Sequence, residues 1–295
     1  TYSVTVLSQE NTNSQNTYSV EFDGNGDYIE IPSSPSLNPS QEITISFWTK
    51  ITENNSINQF IAKWGNTINP PNSYILGLDP VGSPYGLYFW LGNNFFASDI
   101  SLDLDTWVYL TLTASSVNNQ VFLYINNDLV DSWVNLSQDA IILTPDDNPV
   151  WIGGNPDDDY NNLTGYMDNV QIWDIALSSD EINQYMLCPP TGEEEGLVGY
   201  WNFEEGQDDG LVIDLSSSNN NGDIFNAGYS SDVNDTSCQN LNFTFCEATD
   251  SVYVNFSELV LTETHTDVSC FNGSDGSYEI VIELGGETTI STLTD

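Results

Sequence analysis

The sequence predicts an all-β protein of the β-sandwich class, and two observations support this prediction. Apolar and polar residues alternate with a period of two along several runs, whereas helical periodicity is nearly absent. Short clusters of Asp, Asn and Gly separate these runs, and such residues form tight turns. Many short strands joined by polar turns are typical of antiparallel sandwiches and barrels.

Three runs show the alternation most clearly. The first places Ile43, Ile45 and Phe47 on one face of a strand, with Thr44 and Ser46 on the other. The apolar positions of the second and third runs are Val108, Leu110, Leu112, Val121, Leu123 and Ile125. Turns are predicted at residues 23–26, 93–94, 118–119, 126–127 and 153–156.

One helix is predicted to begin after Ser178. This residue and Glu181, three positions later, form a capping-box pattern, which satisfies free amide groups at a helix start. The apolar residues that follow at helical spacing are Ile182, Tyr185 and Met186. The helix is expected to end near Cys188, because two prolines follow it.

The charge balance excludes several kinds of partner. The chain has 44 acidic residues and two basic ones, Lys50 and Lys63, so its formal net charge is −42. Such a field repels phosphate, which excludes nucleic acid and a polybasic membrane-surface site. The one histidine, His265, excludes a multi-histidine metal site, and the chain has no apolar run long enough for membrane insertion. Because lysine cannot offset the repulsion between acids, we expect a secreted, extracellular or cell-surface protein in a calcium-containing medium.

Six motifs, in this order along the chain, resemble those of laminin-G-like, concanavalin A-like jelly-roll domains. They lie at Tyr18–Pro32, Ile43–Trp48, Asp105–Leu110, Val121–Asn126, Trp151–Gly154 and Gly165–Trp173. One departure is Asn127, which stands where the family usually has glycine. The resemblance implies a jelly roll over residues 17–187 and a role in binding glycans, proteins or neighbouring modules.

The flanking segments carry two shorter resemblances. Gly196–Gly206 resembles a segment that usually precedes this jelly roll, and we expect residues 188–240 to pack on the domain as added strands or to be the remnant of a second copy. Residues 266–295 resemble the start of the SprB repeat of Bacteroidetes gliding adhesins. Residues 1–16 are interpreted as the tail of a preceding module with a linker, and 241–265 as a linker strand.

Calcium is the predicted cofactor, in a structural role. Asp23 and Asp27 flank a glycine-rich turn and Asp168 begins a strand motif, and laminin-G-like relatives often hold calcium with acids near these motifs. The alternative is that these aspartates only form Asx turns and bind backbone amides. A further candidate cluster is formed by Asp157, Asp158 and Asp159, for which the alternative is a solvated acidic loop.

Aromatic residues in the middle of the jelly roll are the candidate glycan-binding residues, since exposed rings stack on sugar faces. The predicted ligand-binding residues are Trp64, Trp90, Asn94, Phe95 and Tyr160. The alternative is that most of these rings belong to the sandwich core, which needs many large side chains.

The four cysteines allow three pairings, and an even number in an extracellular chain suggests disulfides. We favour Cys188 with Cys238, which would fasten the intervening segment to the sandwich. Cys238 with Cys246 would close a small loop instead, Cys270 lies in the C-terminal module, and reduced buried thiols are a further alternative.

The resulting functional hypothesis is a non-catalytic, calcium-assisted binding module of a bacterial surface adhesin. Its partners would be glycans or other extracellular polymers, with neighbouring modules of the same adhesin, for surface attachment or gliding. The alternative is a structural spacer or filament module without a ligand of its own. An enzyme is disfavoured, because the Glu-x-Asp-x-x-Glu strand pattern of related retaining glycosidases is missing.

Overall fold

The computed structural model describes residues 16–64, 74–80, 86–92, 94–136, 141, 145–156, 162–206 and 210–234, together with three strands between residues 260 and 294. The chain divides into two compact units. One is Asn13–Gln239, and the other combines Thr1–Thr12 with Asn240–Asp295.

The larger unit contains sixteen strands and one α-helix among its described residues. In chain order these are β1 (Ser19–Asp23), β2 (Tyr28–Ile31), β3 (Glu42–Ile51), β4 (Asn58–Lys63), β5 (Tyr74–Leu78), β6 (Leu87–Leu91), β7 (Asn94–Ala97), β8 (Val108–Ser115), β9 (Gln120–Ile125), β10 (Asp128–Trp133), β11 (Val150–Ile152), β12 (Thr164–Trp173), α1 (Ser179–Leu187), β13 (Leu197–Trp201), β14 (Leu211–Val212), β15 (Gly222–Phe225) and β16 (Gly228–Ser230). A 3-10 turn spans Pro35–Leu37.

The strands form two antiparallel sheets of eight strands each. Sheet A has the order β10-β9-β8-β3-β12-β1-β16, and β13 also pairs with β12. Sheet B has the order β14-β15-β2-β11-β4-β5-β6-β7. The predicted all-β sandwich is therefore confirmed.

The core lies between the inward faces of the two sheets. Period-2 alternation places the apolar side of each strand there, as in β6, where Leu87, Phe89 and Leu91 are fully buried. Phe47 of sheet A meets Phe60 of sheet B with 5.3 Å between the ring centroids. The two sheets thus share one continuous apolar core.

Helix α1 covers part of the outer face of sheet A. Ser178 and Glu181 form the predicted capping box, with the Ser178 amide donating to Glu181 Oε2 over 2.7 Å. Ile182 is the buried residue of the helix and joins a second apolar cluster that includes Tyr109 and Trp173 on sheet A. Sheet B therefore covers the inner face of sheet A, and helix α1 covers part of its outer face.

The segment after the helix adds strands to both sheets. β13 pairs with β12 over Val170–Trp173, directly beyond the stretch where β1 pairs with the same strand. A bulge with a positive φ at Asn169 separates these two pairings. β14 and β15 extend sheet B, and β16 extends sheet A beside β1.

The other unit contains a three-stranded antiparallel sheet within residues 260–294. Its strands are β17 (Val260–His265), β18 (Ser277–Leu284) and β19 (Glu287–Thr294), in the order β17-β18-β19. In the part of the chain that the structure describes, no helix is long and apolar enough to span a membrane.

Candidate functional site

Three aromatic side chains form a platform on the outer face of sheet B. Tyr88 and Trp90 occupy alternate positions of β6, opposite to its core-facing leucines, and Phe95 lies on the neighbouring edge strand β7. Trp90 pairs with Phe95 across the two strands, with 5.1 Å between the ring centroids, and Tyr88 stacks on Phe95 at 6.2 Å. Phe95 is 43% exposed. We call Tyr88, Trp90 and Phe95 the aromatic platform.

Tyr88, Gly77 and Gln59 lie side by side on the neighbouring strands β6, β5 and β4, and form one row across sheet B. Gly77 pairs with Tyr88 on one side and with Gln59 of β4 on the other. A Cβ atom on Gly77 would lie 2.7 Å from the Tyr88 hydroxyl oxygen, so the phenol ring lies across the glycine backbone. Gln59 is buried, and its Nε2 atom donates to no protein atom. An amide donor without a partner therefore lies in the same row as the platform.

The sequence predicted part of this platform. Trp90 and Phe95 were predicted and lie together, and the predicted Asn94 begins β7 at the hairpin, where it pairs with Leu91. Trp64 follows β4 directly and is half-buried, two strands away from β6. Tyr160 lies outside the described residues. Tyr88 and Gln59 were not in the predicted set, although the alternation along β6 could have placed Tyr88 on the face of Trp90.

The Asp23–Asp27 turn is built from carboxylate-to-amide hydrogen bonds. Asp23 Oδ1 accepts from the Asn25 amide at 2.8 Å, and Asp27 Oδ2 accepts from the Asp23 amide at 2.6 Å. Gly24 and Gly26 have φ values of 79° and 78°, a conformation that glycine adopts without a steric penalty. Burial raises the pKa of Asp27, and the nearby Asp23 carboxylate adds to the rise.

Two oxygen acceptors, the Asp27 carbonyl oxygen and Asn162 Oδ1, lie close together beside Gly154. A Cβ atom on Gly154 would lie 2.5 Å from the Asp27 carbonyl oxygen and 2.5 Å from Asn162 Oδ1. The Asn162 side chain is buried, and its Oδ1 atom has no hydrogen-bond partner. An unpaired buried acceptor is unfavourable. The Asp27 carbonyl oxygen and Asn162 Oδ1 are oxygen ligands of the kind that a hard cation such as calcium prefers.

Within the described residues, no three Asp, Glu, His or Cys side chains come together as a metal-binding group. A cation at the Asp27 turn would therefore depend on amide and carbonyl oxygens as well as on carboxylates. The predicted ligands Asp157, Asp158 and Asp159 lie outside the described residues.

Asp168 lies apart from that turn, in a closed polar cluster on sheet A. Its Oδ2 atom accepts from Asn16 Nδ2 at 2.8 Å and from Asn234 Nδ2 at 2.9 Å, and its Oδ1 atom accepts from Asn169 Nδ2 at 3.0 Å. Burial is the main cause that raises the pKa of Asp168 to about 8, and the charge of Glu204 acts in the same direction. Amide donors thus occupy both carboxylate oxygens.

The same cluster joins the two ends of the larger unit. Asn16 Nδ2 also donates to the Asn234 carbonyl oxygen at 3.2 Å, and Glu204 Oε1 accepts from the amides of Thr17 and Tyr18. The first and last described residues of the unit are therefore within hydrogen-bond reach of each other.

Cys188, which ends helix α1, is disulfide-bonded. Its predicted partner, Cys238, lies outside the described residues, so the pairing of these two cysteines stays a prediction.

Comparison with known protein families agrees with the geometry of the sandwich. The laminin G type 3 model of the concanavalin A-like lectin/glucanases superfamily matches residues 23–183. This chain belongs to that superfamily. The resemblance predicted from the six motifs is thereby confirmed. No curated protein matches the chain.

Solved structures are similar to this superfamily member at low sequence identity. A candidate carbohydrate-binding protein from Bacteroides ovatus matches with a TM-score of 0.59 and 18% identity, over 73% of this chain and 60% of that protein. A SAP-like pentraxin from Limulus polyphemus has a TM-score of 0.49 and 16% identity, over 70% of this chain and 98% of the pentraxin. The CBM40 domain of the Ruminococcus gnavus IT-sialidase, bound to α2,3 sialyllactose, has a TM-score of 0.46 and 16% identity, over 58% and 98% respectively. The chain thus spans about 60% of the Bacteroides ovatus protein, and that likeness establishes the fold alone.

Proposed function

We propose that this laminin-G-like domain is a non-catalytic glycan-binding module of an extracellular adhesin, and that the aromatic platform is its binding surface. The observation that carries the proposal is the position of Tyr88, Trp90 and Phe95 on the outward face of two adjacent strands at one edge of sheet B.

The physical reason lies in the amphipathic surfaces of sugar rings and tyrosine or tryptophan side chains. A pyranose ring presents C–H groups on its faces and hydroxyl groups on its rim. Partly exposed aromatic rings can cover the C–H face, while nearby polar atoms bind the hydroxyl groups. The Asn94 side chain, at the start of β7 beside Phe95, is a polar group next to the rings.

A calcium ion held by oxygens of Asp27 and Asn162 would stabilise the turn between β1 and β2, and so the sandwich that presents the platform. The unpaired Asn162 Oδ1 atom supports this role, because a cation would satisfy it. With a net charge of −42, the chain also gains stability from any bound divalent cation that reduces the repulsion between its acids.

The carboxylate pair most suggestive of catalysis supports a structural role instead. Asp168 and Glu204 interact electrostatically, but Asp168 is 0% exposed and Asn16 and Asn234 bind its carboxylate. A general acid must come within hydrogen-bond reach of its substrate, and this one is enclosed by protein.

The adhesin context rests on the SprB resemblance of residues 266–295. The spacer alternative predicts a module without a ligand of its own, so a binding screen separates the two functions.

A glycan-array screen of the whole chain tests the proposal, run in millimolar calcium and again in EDTA. The deciding variants are Phe95→Ala and Phe225→Ala. Both phenylalanines lie on sheet B and are similarly exposed, at 43% and 39%, but Phe225 lies toward the opposite edge, where it stacks on Tyr28.

We expect glycan binding that calcium strengthens, a loss of at least about tenfold in Phe95→Ala, and wild-type binding in Phe225→Ala. Equal losses in both variants would remove the platform from the binding surface. Binding of no glycan in either buffer would refute the proposed function.

A further inference from the structure

We infer that the aromatic platform selects uncharged glycan chains and rejects anionic ones such as uronic-acid polymers. This inference rests on the proposed function and names the class of glycan. It depends on where the two lysines lie and on what they contact, because the chain has no arginine and these are its only lysines.

Lys63 is unavailable to any ligand, because its side chain is fully buried. Its ammonium group donates to Asp146 Oδ1 at 2.5 Å, to the Asn148 carbonyl oxygen at 2.6 Å and to the Asp146 carbonyl oxygen at 3.2 Å. An ammonium group has three N–H donors, so these three acceptors use its whole capacity. Lys63 therefore serves the loop at Asp146–Asn148 and not the surface.

Lys50 lies on sheet A and is also bound within the protein. Its ammonium group forms an ion pair with Asp232 and lies 4.6 Å from the centroid of the Tyr166 ring and 5.5 Å from that of Trp107. The lysine side chain is 11% exposed. An anionic ligand would have to displace the Asp232 carboxylate to reach it.

No arginine or further lysine exists in the chain to take the place of these two residues. Recognition of a carboxylate or sulfate group commonly relies on Arg or Lys donors, which give the strong charge-assisted hydrogen bonds. An anionic sugar on the platform would find no such donor and would meet the field of a chain with a net charge of −42.

The platform suits a neutral chain for the opposite reason. Its three rings offer apolar contact without charge, and the residues that pair with them on β5 and β7, Gly77, Asn94 and Ala97, are uncharged. Burying a hydroxyl group against these groups carries a much smaller desolvation penalty than burying a carboxylate.

The test compares hexasaccharides that differ in charge, by titration calorimetry on the whole chain in EDTA and in calcium. The neutral probes are β-1,4-linked gluco-, manno-, xylo- and N-acetylgluco-hexaose. The anionic probes are mannuronate and galacturonate hexasaccharides, of which mannuronate matches mannose except for a carboxylate at C6. We expect at least one neutral probe to bind, and the anionic probes to bind at least about tenfold more weakly.

An engineered cation provides the matched control. Ala97 pairs with Tyr88 and shares its face of the sheet, so Ala97→Lys places an ammonium group beside the platform. We expect this variant to gain affinity for the anionic probes, and to lose that gain at high salt because salt screens charges.

The outcomes separate this inference from the function on which it rests. An anionic probe that binds the wild-type chain as tightly as the best neutral probe, in EDTA or through calcium, would overturn the charge selectivity and leave glycan binding intact. No gain in Ala97→Lys would show that the missing cation is not the reason for it. No binding of any probe would overturn both proposals.

Discussion

Replacing Lys63 by methionine tests how strongly a single buried ammonium group stabilises this sandwich. Methionine keeps the length and apolar character of the stem and removes only the charge and its hydrogen bonds. In the variant, the Asp146 carboxylate and two carbonyl oxygens lose the donor that binds all three. The Asp146 carbonyl oxygen keeps Asn38 Nδ2 as a donor and Asp146 Oδ1 keeps the Asn148 amide, but both donors are neutral. Asp146 Oδ2 is already buried without a partner, so the carboxylate would be left without a cation.

The expected loss follows from leaving a buried charge without its partner. Breaking a buried ion pair by removing one member lowers the free energy of unfolding by about 3–5 kcal/mol. For a compact unit of this size, 1 kcal/mol corresponds to a shift in melting temperature of about 2–4 °C. The variant should therefore melt roughly 6–20 °C below the wild type.

Lys50→Met is the matched control, because it makes the same chemical change at a different depth. Its partner Asp232 is 45% exposed at the side chain, so solvent screens this ion pair. An exposed pair contributes about 0.2–1 kcal/mol, and contact of the ammonium group with the rings of Tyr166 and Trp107 adds a similar amount.

The assay is urea unfolding of both variants and the wild type, followed by tryptophan fluorescence. We expect Lys63→Met to lose several times more stability than Lys50→Met. The double variant Lys63→Met with Asp146→Asn should recover part of the loss, because no unpaired charge stays buried. Equal losses at the two lysines, or no recovery, would refute the reasoning.

Three further predictions concern the cation site, the joined ends and the helix. Calcium should raise the melting temperature of the wild type and EDTA should lower it, whereas Asn162→Ala should respond much less; identical melts in both buffers would contradict a structural ion. Asp168→Ala should lower the free energy of unfolding by about 1–3 kcal/mol, because the side-chain amides of Asn16 and Asn234 lose their acceptor. Loosening of the joined ends should also speed hydrogen exchange at Thr17 and Tyr18, whose backbone amides bind the neighbouring Glu204; unchanged exchange would show that the ends are held elsewhere. Ser178→Ala should destabilise the chain by about 1 kcal/mol in urea unfolding through loss of the N-cap, and a loss near zero would mean that the capping box is not formed in solution.

Local pattern predicted much of the fold. The alternation of Ile43, Ile45 and Phe47 placed these residues in the core, where they are fully buried. The capping box at Ser178 predicted the beginning of α1, and the prolines predicted its end. Such features depend only on nearest neighbours along the chain, and the sequence displays those neighbours directly.

The residues that form the candidate site were harder to predict from the sequence. Alternation indicates that Tyr88 and Trp90 share a face, but it does not say which face looks outward. Only the pairing of β6 with β5 and β7 brings Phe95 and Gln59 into that neighbourhood. Asp27 and Asn162 are 135 residues apart in the numbering, and β11 and its following turn bring their oxygens together beside Gly154.

The sequence by itself determined the class of fold, the sign of the electrostatic field and the absence of arginine, because periodicity and composition require no knowledge of distant contacts. Tertiary structure decided how the two lysines are used. Lys50 and Lys63 look alike in the sequence, but one lies on the outer face of sheet A beside Asp232 and the other is enclosed by the loop that begins at Asp146. Strand order and register set these contacts, and both depend on pairings between residues far apart along the chain.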